Sequence, residues 1–293
     1  MINSRCTTQT AGQDSQKEGQ EGQKQKYNVL ICGAGNQGAL ADAPGSGNEG
    51  KIISYGHALK GHPGFALVGF YDKNIKKANQ AAGIWRTYWC DSLNSGLENV
   101  DIAVVSTPDS THYEILKQLA EYPLKLVICE KPICSDLQQA REIVELYRQK
   151  NIPILVNYTR RFLPYYQELK RRYEAGEFGE LISWNLKFNR GLLHTGSHMV
   201  DFLQWLIGYQ LEGLSEVRPE ANYRIWQMDL FFEKYHWREE RIGDMPVWPY
   251  YDKTHWHLVD NAYQFLEGRE PLRCTAEDAL RTLEICFELM EGK

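Results

Sequence analysis

The chain has 293 residues, of which 43% are hydrophobic, which is enough for two modest domains with real cores. Its net charge of −5 disfavours nucleic-acid binding, and no apolar run approaches the roughly 18 residues of a membrane span. Seven scattered cysteines, odd in number and without a C-x-x-C pair, favour reduced thiols in a cytoplasmic protein over disulfides or a zinc site.

Residues 1–26 contain six glutamines and no apolar segment, so we expect a disordered polar tail. Beyond this tail, short apolar runs that predict buried strands alternate with helical patterns. The predicted strands are 27–32, 65–71, 101–106, 126–129 and 154–156, and the predicted helices are 52–60, 73–82, 110–121 and 135–150. This alternation predicts a doubly wound parallel sheet, a Rossmann domain over residues 27–157.

After residue 157 the pattern changes, and we expect a second domain over 158–293. Its predicted elements are helices at 163–175, 197–207, 255–267 and 275–291 and a strand at 181–188. Residues 209–252 are aromatic and give no clear assignment. Core packing is favoured over sugar stacking or an interface for the aromatic residues Tyr223, Trp226, Trp237, Trp248, Tyr250, Tyr251 and Trp256.

The first predicted strand runs directly into a glycine motif, Gly33-Ala34-Gly35-Asn36-Gln37-Gly38. Glycines after a strand permit a tight turn and a close approach of the backbone to a pyrophosphate, and the next helix offers unpaired N–H groups. We therefore predict that this loop, including Asn36 and Gln37, binds NAD. The alternative is a glycine turn without a nucleotide.

Asp72 ends the second predicted strand, where a carboxylate can accept hydrogen bonds from both hydroxyls of the adenosine ribose. A 2′-phosphate would be repelled there, so NAD is favoured over NADP, although Lys73 weakens this preference. Asp72 lies 34 positions after Gly38, whereas about 20 is usual. The segment 41–50 therefore resembles an insert. It either moves the helix dipole from the pyrophosphate, lines the substrate cleft, or forms a solvated loop.

The strand 126–129 stops at Glu130-Lys131-Pro132. Ligands of parallel sheets bind beyond the carboxyl ends of the strands, so Lys131 is expected to face the ligand. The proline restricts the backbone of this turn.

A histidine and an acid share one side of the helix predicted at 197–207. His198 near its start is the predicted acceptor of an alcohol proton, and Asp201 is the predicted orienter of its ring. Alternatives are a structural histidine, a metal held by His194 and His198, which the missing glutamate disfavours, and pairing of Asp201 with a neighbouring cation. On the opposite side of this helix lie apolar residues that are predicted to pack in the core: Met199, Phe202, Leu203 and Leu206.

Residues 27–293 resemble the Gfo/Idh/MocA oxidoreductases, the family of glucose–fructose oxidoreductase and inositol dehydrogenase. The motifs that carry the resemblance are Gly33-x-Gly35-x-x-Gly38, Thr107-Pro108 followed by His112, Glu130-Lys131-Pro132, Asn157-Tyr158-x-Arg160-Arg161-Phe162, Gly176-Glu177-x-Gly179, His198-x-x-Asp201 and Glu267-Gly268-Arg269-Glu270-Pro271-Leu272. The resemblance implies an α/β chain: a Rossmann domain followed by an α/β domain with an open, mostly antiparallel sheet.

The resemblance also implies site residues. Lys131 would hydrogen-bond the reacting hydroxyl, and His198 would accept or donate the proton. The implied cofactor-binding residues are Thr107, Pro108, His112 and Glu130, and the implied substrate-binding residues are Tyr158, Arg160, Arg161 and His194. His194 departs from the acid or amide that many members carry there. The second domain is also short for the family, so some strands and the dimer surface they usually form are expected to be missing.

The leading hypothesis is an NAD(P)-dependent oxidoreductase acting on a secondary hydroxyl of a sugar, sugar nucleotide or cyclitol, with a weaker link to polysaccharide biosynthesis. A small sugar-like substrate and a homo-oligomer are the expected partners. The alternatives are a non-catalytic NAD- or ligand-binding relative and a metal-dependent lyase or hydrolase.

Overall fold

Six parallel strands form the central sheet of the computed structural model, which describes residues 26–189, 191–208, 225–242 and 249–291. The strands are β1 (Tyr27–Cys32), β2 (Phe65–Tyr71), β3 (Tyr88–Cys90), β4 (Ile102–Val105), β5 (Leu126–Cys129) and β6 (Ile154–Val156). Their order across the sheet is β3-β2-β1-β4-β5-β6. β4, β5 and β6 are buried throughout, as expected when helices cover both faces. The predicted Rossmann sheet is confirmed, and β3 is an additional edge strand on which Tyr88 and Trp89 are exposed.

Side-chain caps set the starts of most helices on this sheet. The helices are α1 (Tyr55–Gly61), α2 (Ile75–Trp85), α3 (Leu93–Gly96), α4 (His112–Leu119) and α5 (Leu137–Lys150). Ser54, Asn74, Ser92 and Asp136 each accept a hydrogen bond from a backbone N–H of the first turn. The helix predicted to begin at residue 52 therefore begins only after its cap, Ser54.

The second sheet is antiparallel, which confirms the predicted fold class. Its described strands, in the order β7-β8-β9, are β7 (Leu181–Phe188), β8 (Ile225–Phe232) and β9 (His236–Ile242). The helices of this half are α6 (Pro164–Glu174), α7 (Ser197–Ile207), α8 (Thr254–Leu266) and α9 (Ala276–Met290). β8 and β9 occupy part of the region that had no sequence assignment. The predicted tail up to residue 25, Tyr223 and Trp248 lie outside the described residues.

The last two helices connect the two hydrophobic cores. Leu258, Val259 and Ala262 of α8 pack in the core of the parallel sheet. Ile285 and Cys286 of α9 pack in the core that lies against the antiparallel sheet. The last two described helices therefore contribute side chains to both cores.

None of the described helices is long and apolar enough to cross a membrane. The six described cysteines are free thiols, and Cys32 and Cys129 are fully buried in strands, as predicted for small apolar side chains.

Candidate active site

The glycine loop after β1 combines tight packing with one open face. Gly33 has a φ of +103°, and a Cβ on Gly38 would lie 1.9 Å from the carbonyl oxygen of Gly33, so neither position accepts a side chain. A Cβ on Gly35, in contrast, would meet nothing within 4 Å. Open backbone between two tightly packed glycines is what a bound pyrophosphate requires, so these residues fit a dinucleotide.

The helix that follows this loop is a single π turn, Asn36–Leu40. The chain then passes through the insert, and regular helix resumes only at α1. The insert thus separates α1 from the glycine loop along the chain, and its effect on a bound pyrophosphate remains a prediction. Asp72 lies beside the loop, where its Oδ2 accepts a hydrogen bond from the Ala34 N–H at 2.9 Å. Its contact with a ribose remains a prediction.

The insert lines the cleft through Ala41 and Asn48, while its residues 44–47, 49 and 50 are exposed to solvent. Its anchor is the buried carboxylate of Asp42, which accepts hydrogen bonds from the backbone N–H groups of Ile53 at 2.6 Å and Ser54 at 3.1 Å. The Ile52 N–H donates to the carbonyl of Asp252 at 2.7 Å, which ties the insert to the segment before α8.

A cavity of about 650 Å³ lies between the carboxyl ends of β5 and β6, the insert and the antiparallel sheet. It brings together six of the predicted site residues: Gln37, Glu130, Lys131, Arg160, His194 and His198. Asn48 of the insert and Lys51 and Ile53, which follow the insert, also line it. Its size suits a sugar-sized ligand.

Lys131 and His194 are joined directly. The Lys131–Pro132 peptide is cis, and the Lys131 Nζ donates a hydrogen bond to the backbone carbonyl of His194 at 2.8 Å. Burial lowers the pKa of Lys131. His194 lies in a second π turn, Leu192–Gly196, while its own side chain is exposed.

His198 lies in the first turn of α7, facing the cavity. Its ring packs edge-on against Tyr158, with centroids 5.8 Å apart. Burial lowers the pKa of His198 well below its ordinary 6.5, and the nearby charge of Lys131 adds to this effect. The ring is therefore neutral near pH 7 and can accept a proton. Gly196 occupies the cap position of this helix without a side-chain cap, and Ser197 Oγ donates to the carbonyl of Leu193.

Asp201 does not orient His198, which corrects the sequence prediction. The Asp201 carboxylate is buried, and its hydrogen-bond donors among the described residues are Arg161 Nη2 at 2.8 Å, Arg161 Nε at 3.1 Å and Thr282 Oγ1 at 3.2 Å. Arg161 is buried too and also pairs with Asp278 at 3.1 Å. A buried carboxylate requires such a cation, so the alternative of pairing with a neighbouring cation is the correct one.

The predicted substrate-binding roles of Arg161 and Tyr158 are corrected by these contacts. Arg161 is used in that ion pair, and Tyr158 is 1% exposed and supports the His198 ring from behind. Arg160 does line the cavity. Its Nη2 donates to Glu239 Oε1 at 2.5 Å, and its guanidinium lies 4.2 Å from the ring centroid of Trp226.

The prediction that His112 contacts the cofactor is also corrected, because its ring instead positions two turns of the backbone. Its ring is fully buried, with Nδ1 2.9 Å from the carbonyl oxygen of Pro132 and Nε2 2.9 Å from that of Thr107. It thereby joins the turn of Thr107 and Pro108 after β4 to the turn of Lys131 after β5. The turn after β4 lies beside the glycine loop, since Ser106 Oγ donates to the carbonyl of Gly33 at 2.9 Å, and cofactor contacts of Thr107 and Pro108 remain a prediction.

Glu130 is held by Asn157, which belongs to one of the family motifs, and by Tyr55 and His255, which the motif analysis did not single out. Its Oε1 accepts hydrogen bonds from the Tyr55 hydroxyl at 3.0 Å and Asn157 Nδ2 at 2.7 Å, and His255 Nε2 lies 3.8 Å away. Burial raises the pKa of Glu130 and lowers that of His255 to about 4. A lone histidine at the start of α8 carries no sequence signal for this position.

Among the described aromatic residues of 223–256, some pack in the core and some line the cavity. Trp237 is 2% exposed, which confirms core packing at this position. Trp226 is buried and Tyr251 is partly buried, and both residues also line the cavity. The sequence gave no reason to distinguish Trp226 and Tyr251 from Trp237, because all three lie in one aromatic stretch.

Comparison with known proteins agrees with this geometry. A family model for Gfo/Idh/MocA proteins, described as an oxidoreductase family with an NAD-binding Rossmann fold, matches residues 27–158. The chain is 28% identical over 185 residues to scyllo-inositol 2-dehydrogenase (NAD(+)) of Bacillus subtilis, covering 56% of this chain and 53% of that protein. It is 30% identical over 135 residues to inositol 2-dehydrogenase of Corynebacterium glutamicum, covering 42% and 40%.

The chain thus spans about half the length of the curated relatives it matches. Similarity in fold extends further. The WlbA dehydrogenase of Bordetella pertussis, solved in complex with NADH and UDP-GlcNAcA, superposes with a TM-score of 0.70 at 18% identity, covering 92% of this chain and 96% of that one.

Proposed function

Residues 27–158 match the family of Gfo/Idh/MocA NAD-binding oxidoreductases, and we propose that the chain transfers a hydride between NAD and a secondary hydroxyl or keto group of a sugar, sugar nucleotide or cyclitol. The observation that carries this proposal is the presence of Lys131 and His198 in one cavity, at the carboxyl end of β5. A cation and a neutral base are the two groups that oxidation of an alcohol requires.

Each residue has a distinct role in this proposal. His198 accepts the proton of the substrate hydroxyl on its neutral ring. Lys131 donates to the same oxygen and stabilises the negative charge that develops there, an effect worth about 10²–10³ in rate for one well-placed donor. The carbonyl of His194 holds the Lys131 ammonium in place. NAD, when bound, supplies the nicotinamide carbon that takes up the hydride.

The residues that would hold the cofactor are those of the glycine loop and its neighbours. Gly35 leaves the backbone open to a pyrophosphate, and Asp72 presents a carboxylate beside the loop. A carboxylate there favours ribose hydroxyls over a 2′-phosphate, so NAD is the preferred cofactor.

Two measurements test the proposal: fluorescence titration with NADH, and NAD reduction with a panel of cyclitols, hexoses and nucleotide sugars. We expect tight NADH binding and oxidation of at least one compound. Lys131→Met should lower kcat by about 10²-fold or more while the Kd for NADH stays within about threefold of the wild-type value.

A matched control is Lys125→Met, which removes an exposed lysine that pairs with Asp101 at 2.8 Å, outside the cavity. It should leave kcat unchanged. NADH binding without oxidation of any compound would support the non-catalytic alternative. Absence of NADH binding, or wild-type turnover by Lys131→Met, would overturn the proposal.

A further inference from the structure

The insert brings one polar side chain to the cavity, that of Asn48. The insert residues that line the cavity are Ala41 and Asn48, and an alanine side chain has no polar atom. Asn48 is half-buried, whereas its neighbours at 44–47, 49 and 50 are exposed. The proposed hydride transfer, which uses Lys131 and His198, gives this amide no role.

Hydrogen bonds on both sides of Asn48 hold its backbone in place. Its N–H donates to Ser46 Oγ at 3.1 Å, and its carbonyl accepts from the N–H of Lys51 at 2.9 Å. The Glu49 carboxylate closes the tip of the insert by accepting two backbone N–H groups at 2.8 and 3.3 Å. Together with the Asp42 anchor, these bonds preorganise the insert, so a ligand that contacts Asn48 need not order it.

The side-chain amide of Asn48 has a fixed orientation as well. Its Nδ2 donates a hydrogen bond to the carbonyl oxygen of Ala41 at 3.1 Å. A carbonyl oxygen can only accept, so the amide nitrogen must lie on this side and Oδ1 on the other. Among the residues that the structure describes, none donates a hydrogen bond to Oδ1. Asn48 therefore offers an acceptor whose direction is set before any ligand binds.

An acceptor at this place selects a ligand group that can donate. A sugar hydroxyl donates, whereas the oxygens of a pyrophosphate only accept and would be repelled by Oδ1. Asn48 shares the cavity with Lys131 and His198. Gly35 and Asp72, the candidate contacts of the pyrophosphate and the adenosine ribose, are not among the described lining residues. The position of Asn48 thus favours the substrate over the cofactor.

We propose that Asn48 is a specificity-determining residue, whose Oδ1 accepts a hydrogen bond from a substrate hydroxyl other than the one that is oxidised. The inference rests on the proposed oxidoreductase function, in which Lys131 and His198 already engage the reacting hydroxyl. A contact away from the reacting carbon is equally strong before and during hydride transfer, so it contributes to substrate binding and not to kcat. It also gives the insert a function, which is to present this amide.

The test uses the best substrate of the panel and its deoxy analogues, each of which lacks one non-reacting hydroxyl. We expect Asn48→Ala to raise KM for the parent compound about three- to tenfold, the value of one neutral hydrogen bond, while kcat and the Kd for NADH stay within about twofold of wild type. One deoxy analogue should lose the same factor with the wild-type protein. For that analogue Asn48→Ala should cause no further loss, because the contact is already absent.

Calorimetric titration of the parent compound and its analogues into NADH-loaded protein measures the same differences without turnover. Glu49→Ala is the matched control, since it removes hydrogen bonds within the insert from a residue outside the described lining of the cavity. Any loss that it causes should be equal for the parent compound and every analogue.

Wild-type KM in Asn48→Ala would overturn this inference alone, as would a loss that is equal for the parent compound and all analogues. A raised Kd for NADH with unchanged substrate binding would also overturn it, by assigning the amide to a ribose hydroxyl of the cofactor. Failure of the wild-type protein to bind NADH would instead overturn the proposed function.

Discussion

The Lys131 ammonium donates a hydrogen bond to the backbone carbonyl of His194 at 2.8 Å. This bond joins the turn after β5 to the π turn that precedes α7, and so it connects the two segments from which the candidate acid–base groups come. The partner is the backbone of His194 and not its imidazole, which lies exposed at the cavity edge. The two histidines of this segment should therefore contribute very differently to activity.

His194→Ala keeps the carbonyl that holds Lys131, so we expect kcat to fall by less than about tenfold. His198→Ala removes the proton acceptor and should lower kcat by about 10²–10⁴-fold. Steady-state kinetics of both variants, with the Kd for NADH as a control for folding, measures the difference. Equal losses in the two variants would assign a direct chemical role to the His194 ring.

A pair of glycine variants tests whether the loop after β1 receives a phosphate. Gly35→Ala should leave the thermal unfolding midpoint close to wild type, because a Cβ there meets nothing within 4 Å, yet should weaken NADH binding by at least about tenfold. Gly38→Ala should destabilise the fold itself, since its Cβ would lie 1.9 Å from the Gly33 carbonyl oxygen. Gly83→Ala on α2 also has open space around it and serves as the control. Unchanged NADH affinity in Gly35→Ala would place the cofactor elsewhere.

The pH dependence of activity follows from the lowered pKa of His198. The neutral ring is the proton acceptor, and it is present at every pH above the pKa in the folded protein. Because that pKa lies well below 6.5, kcat/KM for alcohol oxidation should not decline near pH 6.5 and should fall only in more acidic solution. A profile between pH 5 and 8 measures this, and a midpoint close to 6.5 would contradict burial as the dominant influence on this histidine.

Asp201→Asn tests the corrected role of that carboxylate. It leaves the buried Arg161 without its bidentate partner, so the free energy of unfolding should fall by about 3–5 kcal/mol in urea titrations. The pH profile of the remaining folded enzyme should keep the wild-type shape, because Asp201 does not contact the His198 ring. Glu145→Gln breaks an exposed pair with Arg148 and should leave the unfolding midpoint near wild type. A shifted pH profile in Asp201→Asn would show that Asp201 does influence the His198 ring and would contradict this correction.

Asp42→Ala should release the insert from its anchor. The variant loses an acceptor for the N–H groups of Ile53 and Ser54 and for His57 Nδ1, and we expect a stability loss of about 3 kcal/mol. Limited proteolysis should then cut within 41–50, and KM for the substrate should rise more than the Kd for NADH. Asp91→Ala, at an exposed position, is the control. Protease resistance equal to wild type would show that other contacts hold the insert.

Much of the framework was predictable because it depends on local patterns. Continuous apolar runs identify β1, β2, β4, β5 and β6, since a strand covered on both faces needs no polar alternation. The ends of such strands place the glycine loop and Lys131 at one edge of the sheet. β8 and β9 were not predicted, because their sequences mix buried residues with charged ones such as Glu239, whose burial depends on a partner far along the chain.

The sequence by itself determined the strand–loop–helix framework, the glycine loop and the candidates Lys131 and His198, because each is encoded within a few consecutive residues. Only the tertiary structure decided that Asp201 pairs with Arg161, that Asn48 of the insert lines the cleft, and that His255 lies beside Glu130. These are contacts between residues 40 to more than 100 positions apart. Such contacts form because a buried charge must find its counter-charge wherever the packed chain brings one within reach.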